Sequence, residues 1–256
     1  GYPDYLSGVA LAQVKLELMS LSPEKQYLPD YQQLDPKVVE QAKLMYLNYP
    51  NNPTGAVATP EFYEDTVKFA KEHHIGVVQD FAYGAIGFDG KRPVSFLQTP
   101  GAKEVGIETY TLSKSYNMAG WRVGFAVGNP DMIEAINLIQ DHLFVSLFPA
   151  IQDAAVAALD SDQSSVKSLV ALYQKRRDDF YAAARKIGWE PYPSGGAFYA
   201  WMPVPKGYTS EEFADLLLDK AAVAVAPGTG FGKSGEGFVR VGLLIDEPKF
   251  TEACVR

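Results

Sequence analysis

The chain reads as an α/β protein: a mainly parallel sheet flanked by helices, with a smaller C-terminal α+β domain. Three observations predict this. Short β-rich apolar runs alternate with helix-period segments through the first two thirds of the chain. The helical segments open on N-cap and proline pairs, Thr59-Pro60 and Asn129-Pro130. Beyond Gly188 the texture changes, with Pro191, Pro193, Pro203 and Pro205 punctuating shorter runs. A strand–helix–strand rhythm implies right-handed crossovers and a sheet covered on both faces.

In order, LMYLNYP (Leu44 to Pro50) is a buried-strand run that stops at the turn residues NNPTG. A helix follows from Thr59-Pro60, with Phe62, Thr66, Phe69 and Ala70 as its inward stripe, ending near His74. IGVVQDFA (Ile75 to Ala82) is the next strand, and Ile107 to Leu112 and Val123 to Val127 supply two more. Asn129-Pro130 opens a helix whose Ile133, Ile136 and Ile139 face inward. A long helical region from about Ser164 to Ile187 ends at Gly188 and holds the domain boundary. Residues 1–160 are expected to form the large domain and 161–256 the small one. No internal repeat or low-complexity segment is visible.

Composition excludes several classes of function. The 256 residues are 47% apolar, ordinary for a soluble globular protein. With 23 basic against 31 acidic residues the net charge is −8, and no basic stripe offers a nucleic-acid surface. The single cysteine, Cys254, forms no intrachain disulfide and fits a reducing, cytoplasmic setting. His73, His74 and His142 lack Cys or His partners at metal-ligand spacing. No apolar run is long enough to span a membrane, and GYPDYLSG is not a signal peptide.

The most informative segment is TLSKSYNMAGWRVG, Thr111 to Gly124. It sets Lys114 among small and hydroxylated residues directly after a strand, where packing explains a lysine poorly. A Lys amine can form a Schiff base with an aldehyde cofactor such as pyridoxal 5′-phosphate, and Arg122 suits that cofactor's phosphate. Alone, the segment also reads as a surface turn with two solvated cations. In open parallel sheets ligands bind beyond the carboxyl ends of the strands. That rule gathers NNPTG after the first strand, Asp80 and Tyr83 after the second, and Lys114 after the third.

With these motifs in this order, the chain resembles a fold-type I, class I/II aminotransferase dependent on pyridoxal 5′-phosphate. The resemblance runs from Tyr2 to about Gly242. It implies that Lys114 holds the cofactor and moves the substrate Cα proton, and that Asp80 faces the pyridine nitrogen. It assigns Tyr83 and Asn52 to the ring's 3′-oxygen, and Arg122 to the phosphate. Thr111 stands where many members have Ser and keeps the hydroxyl for a phosphate contact; Ser113 is a further candidate. Tyr2 matches the aromatic residue stacked on the ring.

PSGGAFYAW (Pro193 to Trp201), APGTGFG (Ala226 to Gly232) and FVRVGL (Phe238 to Leu243) resemble the family's small-domain segments. Within the last, Arg240 matches the arginine that clamps the substrate α-carboxylate, with Asn52 beside the substrate. The glycines of GTGFG follow no strand–turn–helix pattern of a nucleotide site. Taken singly, Asp80 also reads as a strand-end residue, Tyr83 as a core aromatic, Asn52 as a turn former and Arg240 as a surface cation.

The resemblance implies transfer of an amino group from an L-amino acid to a 2-oxo acid, in a homodimer whose partner subunit completes the site. GYPDY and YLNYPNNPTG lie close to the branch holding LL-diaminopimelate and broad-range enzymes, where glutamine-type or methionine-related substrates occur. Family members are longer, so the expectation is a fragment whose first strands and phosphate-cradling turn precede Gly1. Two other readings share the motifs: a C–S or β-lyase using the same cofactor, and a cofactor-sensing regulator with a DNA-binding segment upstream.

Overall fold

The computed structural model describes residues 3–256. Helix α1 (Pro3–Leu11) comes first, and α2 (Pro36–Gln41) starts at Asp35, whose carboxylate accepts the Lys37 N–H at 2.9 Å. Strand β1 (Leu44–Asn48) leads through NNPTG to α3 (Pro60–His73), capped by Thr59, whose Oγ1 accepts the Phe62 N–H at 3.2 Å. His74 ends α3 in the left-handed conformation. Strand β2 (Gly76–Asp80), the short helix α4 (Ala102–Val105) and strand β3 (Gly106–Thr111) follow. Next come the single-turn α5 (Leu112–Ser115), strand β4 (Gly124–Gly128) and α6 (Pro130–Leu143), capped by Asn129. Helices α7 (Pro149–Leu159) and α8 (Ser164–Lys186) precede β5 (Tyr199–Pro203) and α9 (Ser210–Ala221). Strands β6 (Ala226–Pro227) and β7 (Phe238–Gly242) and helix α10 (Glu247–Val255) complete the order.

Two compact units result. The mixed-sheet unit comprises Tyr31–Pro50 and Ala58–Val170. Its four-stranded sheet runs β1-β2-β3-β4, the first three strands parallel and β4 antiparallel to β3. Register places Asn48 beside Asp80 and Asp80 beside Thr109, so β1 and β2 end level and β3 runs two residues further. Helix α3 buries Phe62, Tyr63, Thr66, Val67 and Ala70 along one stripe. Phe69 is half-buried and stacks on Tyr31, with ring centroids 4.6 Å apart.

Two expectations fail here. The sheet is not covered on both faces throughout: Leu44 and Tyr46 on β1, and Phe125 and Val127 on β4, stay more than 40% exposed. Ile136 and Ile139 of α6 are likewise exposed rather than inward, and only Ile133 is partly sheltered. The reason is common to both. β1 and β4 are the edge strands, and an apolar period names a face to be covered without naming what covers it.

The antiparallel unit comprises residues 3–30, Asn51–Val57 and Ala171–Arg256. Its sheet has the order β5-β7-β6, with both pairs antiparallel. The C-terminal part of α8 buries Tyr173, Arg177, Phe180, Tyr181 and Ala184, a stripe at helical spacing. Trp201 lies at the centre, 2% exposed, and its indole N–H donates to Tyr27 Oη at 3.1 Å. Among the described residues no helix is long and apolar enough to cross a membrane, and no group of three His, Cys, Asp or Glu residues could hold a metal ion.

Candidate active site

In the mixed-sheet unit the expected residues sit where the parallel strands end. Asp80 is the last residue of β2, and its Oδ1 accepts the Ala82 N–H at 3.2 Å. Its backbone carbonyl takes Asn48 Nδ2 at 3.0 Å, which ties the β1 and β2 ends together. Gln79, fully buried, donates from Nε2 to the Tyr49 carbonyl at 2.7 Å. Tyr83 is buried in the turn beyond, where its carbonyl accepts the Ile86 N–H at 2.8 Å.

At the end of β3 the chain changes at once from strand to helix. Thr111 makes this possible as the N-cap of α5: its Oγ1 accepts the Ser113 N–H at 3.1 Å. The same hydroxyl donates to the Val123 carbonyl at 3.4 Å, and the Leu112 N–H reaches that carbonyl at 3.2 Å. These bonds close residues 112–122 into a loop with Lys114 in its first turn and Arg122 at its end. The Tyr110 hydroxyl donates to Ser115 Oγ at 2.9 Å, and Ser115 is 1% exposed, so the turn carrying Lys114 is braced from both sides. Arg122 adopts the left-handed backbone at φ 53°, costing about 1 kcal/mol for a residue with a Cβ. Its Nη1 donates to the Ala119 carbonyl at 3.2 Å.

In the antiparallel unit the site residues are Arg240 and Asn52. Arg240 lies on β7 opposite Trp201 of β5 on one side and Ala226 of β6 on the other. Its guanidinium carbon stands 4.3 Å from the ring centre of Tyr199 and 4.6 Å from that of Phe231. Its Nη1 donates to Asn52 Oδ1 at 2.8 Å. Its Nε is buried with no hydrogen-bond partner. An unmatched buried guanidinium donor is costly, and an anion would satisfy it.

Asn52 owes its place to the turn. Asn51 Oδ1 accepts the Thr54 N–H at 3.3 Å and the Thr54 hydroxyl at 2.8 Å. Gly55 follows at φ +71°, and its carbonyl accepts the N–H groups of Gly195 and Gly196 at 2.9 and 3.1 Å. A Cβ at Gly55 would lie 2.7 Å from Ser194 Cβ, so neither the conformation nor the space admits a side chain.

Among the predicted residues, the structure gathers Asp80, Tyr83, Thr111, Ser113, Lys114 and Arg122 in one unit and Asn52 with Arg240 in the other. Tyr2 lies outside the described residues. Sequence reasoning missed Asn48, which holds the Asp80 backbone, and the aromatic pair around Arg240. Phe231 sits inside GTGFG, a segment whose glycines drew attention away from its ring.

The comparisons with known proteins define the class. The chain belongs to the family described as Aminotransferase class I and II, which residues 1–256 match. It is 64% identical over 256 residues to an L-glutamine–4-(methylsulfanyl)-2-oxobutanoate aminotransferase of Bacillus subtilis, covering 100% of this chain and 64% of that protein. It is 46% identical over 255 residues to an LL-diaminopimelate aminotransferase of Dehalococcoides mccartyi, covering 100% of this chain and 66% of that protein. Its fold matches the apo structure of BacF from Bacillus subtilis with a TM-score of 0.96 at 48% identity, over 100% of this chain and 65% of that one. The fold is therefore that of the fold-type I aminotransferases, and the chain spans just under two thirds of these relatives' length.

Proposed function

We propose that the protein transfers an amino group between an L-amino acid and a 2-oxo acid with pyridoxal 5′-phosphate as cofactor. The observation that carries this reading is Lys114 on the capped turn directly after β3, in the unit where Asp80 ends the neighbouring strand. The donor set fits the cofactor chemically: an amine for an aldehyde, a carboxylate for a protonated ring nitrogen, a phenol for a ring oxygen, and a guanidinium with hydroxyls for a phosphate.

When bound, the cofactor supplies a reactive aldehyde carbon and a ring that accepts electrons from the substrate Cα. Lys114 would anchor it and, once displaced, carry the proton at the substrate Cα. Asp80 would keep a proton on the ring nitrogen, held in place by Asn48 and the Ala82 N–H. Tyr83 would donate to the ring oxygen, and Arg122, Thr111 and Ser113 would hold the phosphate. In the antiparallel unit Arg240 would clamp the substrate α-carboxylate, with Asn52 fixing the guanidinium plane.

For substrates, the relative at 64% identity supports L-glutamine as first donor and 4-(methylsulfanyl)-2-oxobutanoate as first acceptor to assay. A cytoplasmic homodimer is the proposed setting. The test is a donor panel on the intact protein with and without a 2-oxo acid, followed by borohydride reduction and peptide mapping. Turnover that requires the acceptor, with the pyridoxyl label on Lys114, is the expected result. Acceptor-independent release of ammonia would favour the lyase reading, and a label on any other lysine would overturn the site.

A further inference from the structure

A series of hydrogen bonds runs from helix α8 to the Asn52–Arg240 pair. Tyr181 Oη donates to the Tyr192 carbonyl at 2.7 Å and accepts the Ser194 N–H at 3.2 Å. Arg177, on the same stripe one turn earlier, donates from Nη1 to the Ser194 carbonyl at 3.1 Å. Both backbone groups of Ser194 are thus fixed by side chains of one rigid helix. Ser194 Oγ donates to the Gly196 carbonyl at 2.8 Å and shapes the Ser194–Gly196 loop from within. The next two amides, Gly195 and Gly196, both end on the Gly55 carbonyl. Gly55 donates its own N–H to the Asn51 carbonyl at 2.9 Å, and Asn52 meets Arg240 at 2.8 Å.

We propose that Tyr181 and Arg177 are positioning residues for substrate-carboxylate binding, acting through the Ser194–Gly196 loop and the Gly55 turn on Asn52 and Arg240. Both residues are buried, 7% exposed each, and all residues of the relay belong to the antiparallel unit. Burial pushes the Tyr181 phenol up to about 12, so it remains a hydrogen-bond donor at neutral pH. The relay has little slack. Gly55 abuts Ser194, and a Cβ at Gly195 would meet Val57 Cγ2 at 3.0 Å, so a shift of the loop must move the turn.

The inference rests on Arg240 binding a substrate carboxylate, and its test separates the two. In the intact, cofactor-free protein, Tyr181→Phe should speed hydrogen–deuterium exchange in peptides covering 51–57 and 193–197 by about fivefold, the weight of one buried hydrogen bond. Peptides covering 76–111 should keep their rates. Equal acceleration everywhere would mean general loosening and would overturn the proposal, as would unchanged exchange at 51–57. In the loaded enzyme the same variant, and Arg177→Lys, should raise the KM for the amino donor about fivefold while kcat changes less than about twofold. A loss confined to kcat would overturn the assignment to carboxylate binding. The exchange measurement needs no turnover, so a protein that failed as an aminotransferase would still report on the relay.

Discussion

The two units secure their polar residues over different ranges of sequence. Around Lys114 several bonds are local: Thr111 to Ser113, Tyr110 to Ser115, and Asp80 to Ala82 join residues two to five positions apart, while Thr111 to Val123 and Asn48 to Asp80 are the longer ties. Around Arg240 they are remote: 188 residues separate it from Asn52, and 174 separate Trp201 from Tyr27. A strand end with a cap carries its geometry in a few consecutive residues, whereas a guanidinium between two rings exists only after distant segments meet. The first arrangement should tolerate damage elsewhere in the fold, and the second should not.

The sharpest way to break the comparison is at its local side. Lys114→Ala should lower turnover by at least ~1,000-fold, because no other group replaces the covalent anchor and proton carrier. The urea midpoint should barely move. Asp80→Ala should cost on the order of 100-fold in kcat while borohydride still labels Lys114, since the electron withdrawal proposed for Asp80 and the attachment proposed for Lys114 are separate tasks. Unimpaired turnover would show that Asp80 is not the partner of the ring nitrogen.

On the remote side, Arg240→Lys should raise the KM of the amino donor roughly 20-fold, as an ammonium cannot hold a carboxylate at two points or lie flat between Tyr199 and Phe231. Gly55→Ala should destabilise the protein by about 2 kcal/mol through its positive φ and the clash with Ser194, measured by urea titration. Retained stability would show that the turn can move away from the loop.

The smallest expected effect concerns Glu108, a buried carboxylate of β3 that accepts Ser95 Oγ and the Phe96 N–H, both at 2.8 Å. Burial raises its pKa above the usual carboxylate range, so the folded state holds this proton more tightly than the unfolded chain does. Stability from this group is therefore lost as pH rises from the usual range through the raised value. Relative to Glu108→Gln, the wild type should lose Tm as pH rises from the usual carboxylate range toward neutrality. A constant difference across that span would rule the effect out.

The helix capped by Thr59 and the strand ends at Asn48, Asp80 and Thr111 were legible because caps, turn residues and apolar periods act over a few residues. Expecting Ile136 and Ile139 inside failed because a moment says which face is apolar and not whether a neighbour lies against it. The antiparallel course of β4 was equally invisible, since an apolar run pairs in either direction. The sequence marks Asn52 as a turn residue and a family match but carries no sign of its bond to Arg240.

By itself, then, the sequence determined the alternation of strands and helices, the placement of Lys114 after a capped strand end, and the family to which the chain belongs. Only the tertiary structure decided that the Arg240 guanidinium packs on Tyr199 and Phe231, that Asn52 accepts a hydrogen bond from it, and that Tyr181 and Arg177 bond the loop behind them. The reason is physical. Local hydrogen bonds are written in short spacings, but a half-buried guanidinium is placed by whichever distant groups pack around it, and no spacing records that.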